Sequence, residues 1–174
     1  MKKLFSLFAL TLVAAISINA SAQSLVGKWD STAGGAQYAM MEAMGGEIEK
    51  ADTYWNFSSN KSYNTYSYIK ATADVMGFQM EMEMEMTESG TWRLSDDELI
   101  ITVNDFNVSK LNITFSDPSL NSAGDQIKST MMDAFNSVVG SEVVYDIEFV
   151  DINTVEIEYD NGIMPMSYTL KRVR

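Results

Sequence analysis

The sequence predicts a single, mainly β domain, and three observations support that prediction. The segment from Phe78 to Met86 alternates strictly between apolar and polar residues, as a half-buried strand does. Strong turn signals such as Asp160-Asn161-Gly162 separate similar segments along most of the chain. Two short sequence features lie near the ends of this region: a Gly27-x-Trp29 motif in the first alternating segment and a basic residue, Arg172, in the last one.

Residues 1–22 have the order of a secretory signal peptide. Lys2 and Lys3 precede an apolar run from Leu4 to Ile18, and a small-residue site, Ala20-Ser21-Ala22, follows it. The run is too short to span a membrane comfortably. Because the chain has no Cys, it offers neither a lipid-attachment cysteine nor a disulfide. We therefore expect residues 23–174 to form one domain that is periplasmic in a Gram-negative host or secreted, with no membrane anchor after cleavage.

The charge of the domain excludes some classes of partner. Without Lys2 and Lys3, ten basic residues face 24 acidic ones, which gives a net charge of −14. Nucleic acids and anionic membrane surfaces are poor partners for such a chain. The remaining length is sufficient for one domain with a substantial core.

The alternating segments predict the strands in order. They are residues 25–30, 53–57, 63–70, 78–86 with a continuation through 90–92, 99–103, 106–115, 143–149, 155–159 and 164–172. In the segment from Phe106 to Phe115, the apolar parity slips between Val108 and Leu111. This slip predicts a β-bulge near Ser109-Lys110.

Two segments have helical spacing instead. Apolar and small residues between Ala36 and Ile48 predict a short amphipathic helix that Gly45-Gly46 weakens. Asp117-Pro118 predicts the start of a second helix, with Asp as the N-cap and Pro in the first turn, and Gly140 predicts its end. The apolar stripe of this second helix comprises Leu120, Gly124, Ile127, Met131, Ala134, Phe135 and Val138.

Several short motifs together resemble the bacterial lipocalin-like proteins, a calycin-type family common in Bacteroidota and mostly of unassigned function. The motifs are Leu25-x-Gly27-x-Trp29, Trp55-Asn56-Phe57, Gly90-Thr91-Trp92, Leu99-Ile100-Ile101 and Tyr168-Thr169-Leu170-Lys171-Arg172. The resemblance implies a single antiparallel β-barrel of eight to ten strands with one or two helical inserts. It also implies a structural plug at one end of the barrel, formed by Gly27, Trp29 and Arg172. A helix between strands departs from the lipocalin pattern, and an insert after the first strand is more like the fatty-acid-binding relatives.

The row of methionines in the Phe78–Met86 segment permits two interpretations. On the first, Met80, Met82 and Met84 line the barrel interior while the alternating Glu residues face water. On the second, their thioethers bind Cu(I). Such copper sites usually include His or Cys, and this chain has neither. The sequence therefore favours a core or cavity wall, and we expect no metal and no other cofactor.

The inventory of catalytic side chains is small. Without His or Cys, the chain has neither the usual general base nor a thiol nucleophile, and a Ser–His triad is impossible. Acidic pairs such as Asp96-Asp97 lie at a predicted turn, and 24 acidic residues make such pairs common by chance. We expect a protein that is not an enzyme.

The expected function is the binding of a small apolar or amphipathic molecule inside the barrel. The alternative is a solid-cored module that binds another protein through its outer surface, as an inhibitor or an envelope component. Small or polar inward residues near one mouth of the barrel would favour ligand binding. Bulky inward residues at every layer would favour the solid-cored module. The residues expected near the cavity are Trp55, Phe57, Tyr66, Tyr68, Phe78, Met80, Met82, Met84, Ile157 and Tyr168.

Overall fold

The structure, a computed structural model, describes residues 25–32, 45–75, 77–160 and 165–174, with the backbone alone at Thr32, Asp160, Pro165 and Met166. The expected signal peptide lies outside these residues. Eight strands are present: β1 (Gly27–Thr32), β2 (Gly46–Phe57), β3 (Ser62–Val75), β4 (Phe78–Ser95), β5 (Glu98–Phe115), β6 (Glu142–Asp151), β7 (Thr154–Asp160) and β8 (Pro165–Arg172). A 3₁₀ turn (Pro118–Leu120) and helix α1 (Asn121–Val138) lie between β5 and β6.

The strands form a closed antiparallel β-barrel in which each strand pairs with its neighbours in sequence. Closure depends on β1 and β8, which pair directly, with Trp29 opposite Arg172. The predicted fold class is therefore confirmed, with eight strands and, in the described part of the chain, one α-helix. No helix in the described ranges is both long enough and apolar enough to cross a membrane.

The strands β2 to β5 are longer than the sequence predicted. β2 begins at Gly46, so the expected helix from Ala36 to Ile48 is wrong at its end, where Glu47 and Ile48 pair with β3. The rest of that expected helix lies outside the described residues. Cross-strand pairing decides the conformation here, because helical spacing of a few apolar residues is a weak local preference. The expected strands 99–103 and 106–115 are one continuous strand, β5.

Two β-bulges explain how β5 remains continuous. Glu85 pairs with Lys110 and Met86 with Val108, so Ser109 is the extra residue, and the bulge predicted there is confirmed. A second bulge leaves Asn104 unpaired, between the pairs Ser89–Asp105 and Gly90–Val103. Each bulge reverses which residues of β5 face inward, so two of them restore the original parity.

The residues predicted to start the helix, Asp117 and Pro118, start a 3₁₀ turn; α1 follows that turn directly from Asn121 and ends before Gly140, as predicted. The Asp117 carboxylate accepts a hydrogen bond from the backbone N–H of Ser119 at 2.8 Å, with Pro118 in the first turn. Gly140 follows the helix with a φ of 85°, a conformation that favours glycine. The helix packs on the far half of β5, where Phe135 stacks on Phe106 with ring centroids 5.0 Å apart.

The barrel interior contains two apolar clusters. The first fills the end at which β1 and β8 meet, and it includes Trp29, Phe57, Trp92, Leu99 and Ile157. The second lies between the long strands and α1, and it includes Ile69, Met80, Met84 and Ile113, with Met131 and Phe135 of the helix packed against them.

Candidate ligand site

One end of the barrel is closed by Trp29 and Arg172. The Trp29 side chain is fully buried, and its indole N–H donates a hydrogen bond to the Leu25 carbonyl at 2.8 Å. The Arg172 guanidinium lies over the indole, 4.2 Å from the ring centroid, and its Nη1 donates to the Val26 carbonyl at 2.8 Å. A Cβ on Gly27 would lie 2.8 Å from that Nη1, so glycine gives the guanidinium its space. The structure thus brings together the three residues expected at this plug.

The methionine row lies at the other end, beneath the helix. Met80 and Met84 are buried, and Met82 and Met86 are half-buried in the same apolar cluster. The alternate residues face the outside, where Glu83 accepts a hydrogen bond from the Tyr68 hydroxyl at 2.8 Å and pairs with Lys110 at 2.7 Å. Packing against α1 accounts for the burial of these methionines.

A polar layer separates the two apolar clusters. Counting in twos from Met80 along β4 reaches Glu88, so this carboxylate lies on the same inward face as the methionines. Its partner on β3 is Thr65, and the next inward residue of β3 is Ser67. The hydroxyl oxygens of Ser67 and Thr53 are 3.0 Å apart. Small and polar side chains of β2 and β3 therefore occupy one side of the interior at this level, whereas the partner of Glu88 on β5 is Phe106.

Solvent reaches this layer although its side chains point inward. Thr53, Thr65 and Glu88 are half-buried, as are Tyr145 and Tyr168, whereas the layer around Trp29 and Phe57 is fully covered. Inward residues that retain exposure indicate space that the protein's own side chains do not fill.

Glu88 is bound by a neutral partner. The Tyr63 hydroxyl donates a hydrogen bond to its Oε1 at 2.6 Å. Burial raises the pKa of Glu88 above its ordinary value, and the bond from Tyr63 opposes that rise. Burial also raises the pKa values of Tyr63, Tyr145 and Tyr168, and the charge of Glu88 contributes in each case. The three phenols therefore remain protonated where the carboxylate ionises.

Aromatic rings cluster around Tyr63, the hydrogen-bond partner of the carboxylate. The Trp55 ring stacks with Tyr63 at a centroid distance of 6.5 Å and meets Tyr145 edge-on at 6.1 Å. Tyr145 in turn lies 5.7 Å from Tyr159. Only 7% of Trp55 is exposed. Within the described part of the chain, its buried indole N–H has no hydrogen-bond partner. An unpartnered buried donor is rare and calls for a physical explanation.

Eight of the ten residues expected near a cavity fall into four groups. Trp55 and Tyr168 belong to the first apolar cluster, where Trp55 stacks with Tyr63, and Met80, Met82 and Met84 belong to the cluster beneath the helix. Phe57 and Ile157 lie in the solidly packed end, at 1% and 0% exposure. Phe78 lies at the start of β4 and is exposed.

The expectation for Tyr66 and Tyr68 is wrong, because both lie on the outer face. The inward residues of β3 are Tyr63, Thr65, Ser67 and Ile69, so the even-numbered tyrosines point away from the interior. Tyr66 lines an outer groove of about 440 Å³, and the ring of Tyr68 contacts the Lys50 ammonium at 5.2 Å. Lysine contacts of this kind stabilise an aromatic ring on a wet surface.

The sequence interpretation missed Glu88, Tyr63 and Tyr145. A signal for Glu88 was present, since it continues the two-residue period of the methionine row towards Trp92. Tyr63 likewise shares the parity of Ile69 on β3. The convergence of Tyr145 on these two residues depends on barrel closure, which no local pattern encodes.

The outer surface carries an acidic groove of about 310 Å³ between β6 and β7, lined by Asp97, Asp146, Ile147, Glu148, Glu156 and Glu158. Among the described residues, no group of three or more His, Cys, Asp and Glu side chains is arranged to hold a metal ion. These carboxylates face solvent, where mutual repulsion is screened.

Glu88→Gln is expected to make the protein's stability less sensitive to pH. Below the ordinary carboxyl pKa of 4.5, Glu88 is protonated whether the chain is folded or not, so its ionisation carries no penalty. Above 4.5, the unfolded chain ionises first because the folded pKa is raised, and the wild type loses stability until the folded carboxyl ionises too. The gain from Glu88→Gln should therefore grow from pH 4 to pH 8 in thermal melts. A gain that stays constant would contradict the raised pKa, and Glu81→Gln on the exposed outer face is the control.

Comparison with known proteins adds no assignment, since no protein-family model matches the chain and no curated protein is significantly similar to it.

Proposed function

We propose that this chain is an exported, lipocalin-like binding protein, not an enzyme, that holds a small amphipathic molecule in the barrel. One observation carries the proposal: three polar residues whose side chains face inward at the middle of the barrel, Thr53, Thr65 and Glu88, retain partial exposure. A barrel of eight strands has room for one small ligand when its own side chains do not fill it. The half-buried Met82 and Met86 beside this layer offer apolar contact.

The site has the mixture of groups that such a ligand requires. Flexible thioethers adapt to tails of variable shape, while phenol and carboxylate groups orient one polar end. The solid cluster around Trp29 would support the site from below without contributing contacts.

Binding of an uncharged naphthalene-type fluorophore tests this function. The probe should bind with roughly micromolar affinity, and it should raise the melting temperature as its concentration increases. Met86→Trp should prevent binding while the fold is retained, because Met86 is half-buried next to Glu88 and indole would occupy the space.

Thr87→Trp is the matched control. Thr87 is the next residue on β4, is exposed, and faces outward, so an indole there should leave binding unchanged. If the probe does not bind, and Met86→Trp destabilises the protein by overpacking, the interior is solid and the proposal fails.

A solid interior would favour the second candidate function, binding of another protein through the outer surface. Exposed apolar side chains on β6 and the turn after it support this candidate. Val150 and Ile152 are 53% and 74% exposed, which is unusual for neighbouring large apolar residues. The same probe experiment therefore separates the two functions.

A further inference from the structure

Among the described residues, the carboxylate of Glu88 has no cationic partner inside the barrel. Among the strands that the structure describes, Glu88 is the one acidic side chain directed inward, and the inward cation, Arg172, is engaged with Trp29 at the closed end. The hydrogen-bond partner of Glu88 in the described chain is the neutral hydroxyl of Tyr63. A carboxylate in this position is costly unless a positive charge or several donors compensate it.

The surroundings of Glu88 would suit a positive charge. Tyr63, Tyr145 and Trp55 form a connected group of rings, with centroids 6.1 to 6.5 Å apart along the contacts to Trp55. The faces of tyrosine and tryptophan rings attract ammonium groups, and more strongly where water is scarce. Aromatic rings beside one carboxylate are the combination by which proteins bind organic ammonium ions.

The charge around Glu88 would repel an anionic head group. It would approach Glu88 within a domain whose net charge after signal removal is −14, with no basic side chain of the described strands facing this layer. The lysines near it, Lys50 and Lys110, are on the outer face with Tyr68 and Glu83. A fatty acid is therefore disfavoured by charge although its tail would fit.

We infer that the ligand of this barrel is an amphipathic amine, whose ammonium group binds Glu88 among the rings of Trp55, Tyr63 and Tyr145. This inference rests on the proposed function and names the class of ligand. The buried indole N–H of Trp55 is the second observation that points to the same place, because this unpartnered donor belongs to the ring that stacks with Tyr63, the partner of Glu88, at a centroid distance of 6.5 Å. A polar atom near the ammonium, such as a hydroxyl on the amine, would satisfy that donor.

Three molecules with the same ten-carbon tail test the inference: decylamine, decanol and decanoate, each below its aggregation concentration. Displacement of the uncharged fluorophore from the wild-type protein measures their affinities. Decylamine should bind about tenfold more tightly than decanol at neutral pH, and decanoate should bind most weakly. Equal affinities for the three, or tightest binding of decanoate, would overturn the inference.

Glu88→Gln should abolish the preference for decylamine over decanol, with both affinities measured by displacement of the fluorophore from that variant. Glu81→Gln removes the same charge from the outer face of the same strand, so the preference should persist there. If Glu88→Gln keeps the preference, the ammonium does not bind Glu88. If the wild type does not bind the fluorophore at all, the proposed function itself fails, which is a distinguishable result.

A second measurement covers the case in which Glu88→Gln does not fold. In the wild type, the ratio of decylamine to decanol affinity should fall towards one as the pH is lowered and Glu88 becomes protonated. The tyrosines that face Glu88, which are Tyr63, Tyr145 and Tyr168, stay neutral throughout this range. Outer carboxylates can also favour decylamine, but they act over long distances through solvent. Added salt should therefore weaken their contribution to the affinity ratio and leave the contribution of Glu88. A ratio that is independent of pH would overturn the inference.

Discussion

Trp29→Ala is expected to lower the free energy of unfolding by about 3–5 kcal/mol, the range for truncation of a large buried aromatic side chain. Trp29 is fully buried, and it contacts the strands that close the barrel. Its removal also leaves the Leu25 carbonyl without the indole donor and the Arg172 guanidinium without its aromatic partner. Denaturant melts at constant pH measure the change.

Two arginine variants calibrate that result. Arg172→Ala should cost less than Trp29→Ala, since a cation over an indole contributes roughly 1 kcal/mol and the backbone carbonyl contacts somewhat more. Arg174→Ala, at an exposed position two residues away, should cost least. A Trp29→Ala protein within about 0.5 kcal/mol of the wild type, as for an ordinary surface change, would show that Trp29 does not close the barrel.

Gly90→Ala is expected to destabilise the protein by about 3 kcal/mol, at the upper end for overpacking, and to disturb the candidate site. Gly90 faces inward at the second bulge of the β4–β5 pair. A Cβ there would lie 1.9 Å from the Thr102 carbonyl oxygen and 3.0 Å from the Tyr63 ring. Because the first of these contacts is with backbone held in the sheet, a side-chain rotation cannot relieve it. The displaced Tyr63 would lose its alignment with Glu88.

Gly124→Ala is the matched control for that variant. The added Cβ on helix α1 would lie 3.3 Å from the Ile113 carbonyl oxygen, a tight contact that a small shift relieves. The higher helix propensity of alanine, worth up to about 1 kcal/mol, offsets the cost. We expect thermal and denaturant melts within about 1 kcal/mol of the wild type. If Gly90→Ala were as stable as Gly124→Ala, that result would show that β4 and β5 do not approach each other at the second bulge as closely as described here.

Much of the architecture follows from local chemistry. The period of two between Met80 and Met86 overrides the helix propensity of Met and Glu, because alternation alone puts every apolar side chain on one face. The carboxylate of Asp117 caps the 3₁₀ turn that leads into the helix, through the nearby backbone N–H of Ser119, and the left-handed Gly140 follows the end of the helix. The bulge at Ser109 is equally local, as a change of parity within one strand.

The candidate site depended on tertiary structure to a greater degree. Alternation predicts that Tyr66 and Tyr68 share one face of the strand, but it does not determine whether that face is inside the barrel. In the structure, the smaller Thr65 and Ser67 face the interior. Glu88 follows the parity of the methionines, yet a charged residue in such a row would ordinarily be assigned to the surface, since burial of a charge is unfavourable.

The sequence by itself determined a mainly β chain, its principal turns and its second helix, and the family resemblance implied the pairing of Trp29 with Arg172. The tertiary structure alone decided how far β2 to β5 extend, that Asn104 forms a second bulge, and that Tyr63, Glu88 and Tyr145 meet in one layer. The physical reason is the range of the interactions. Periodicity and caps act over a few residues, whereas the inward face of a strand and the neighbours of a buried carboxylate depend on which distant strands close the barrel.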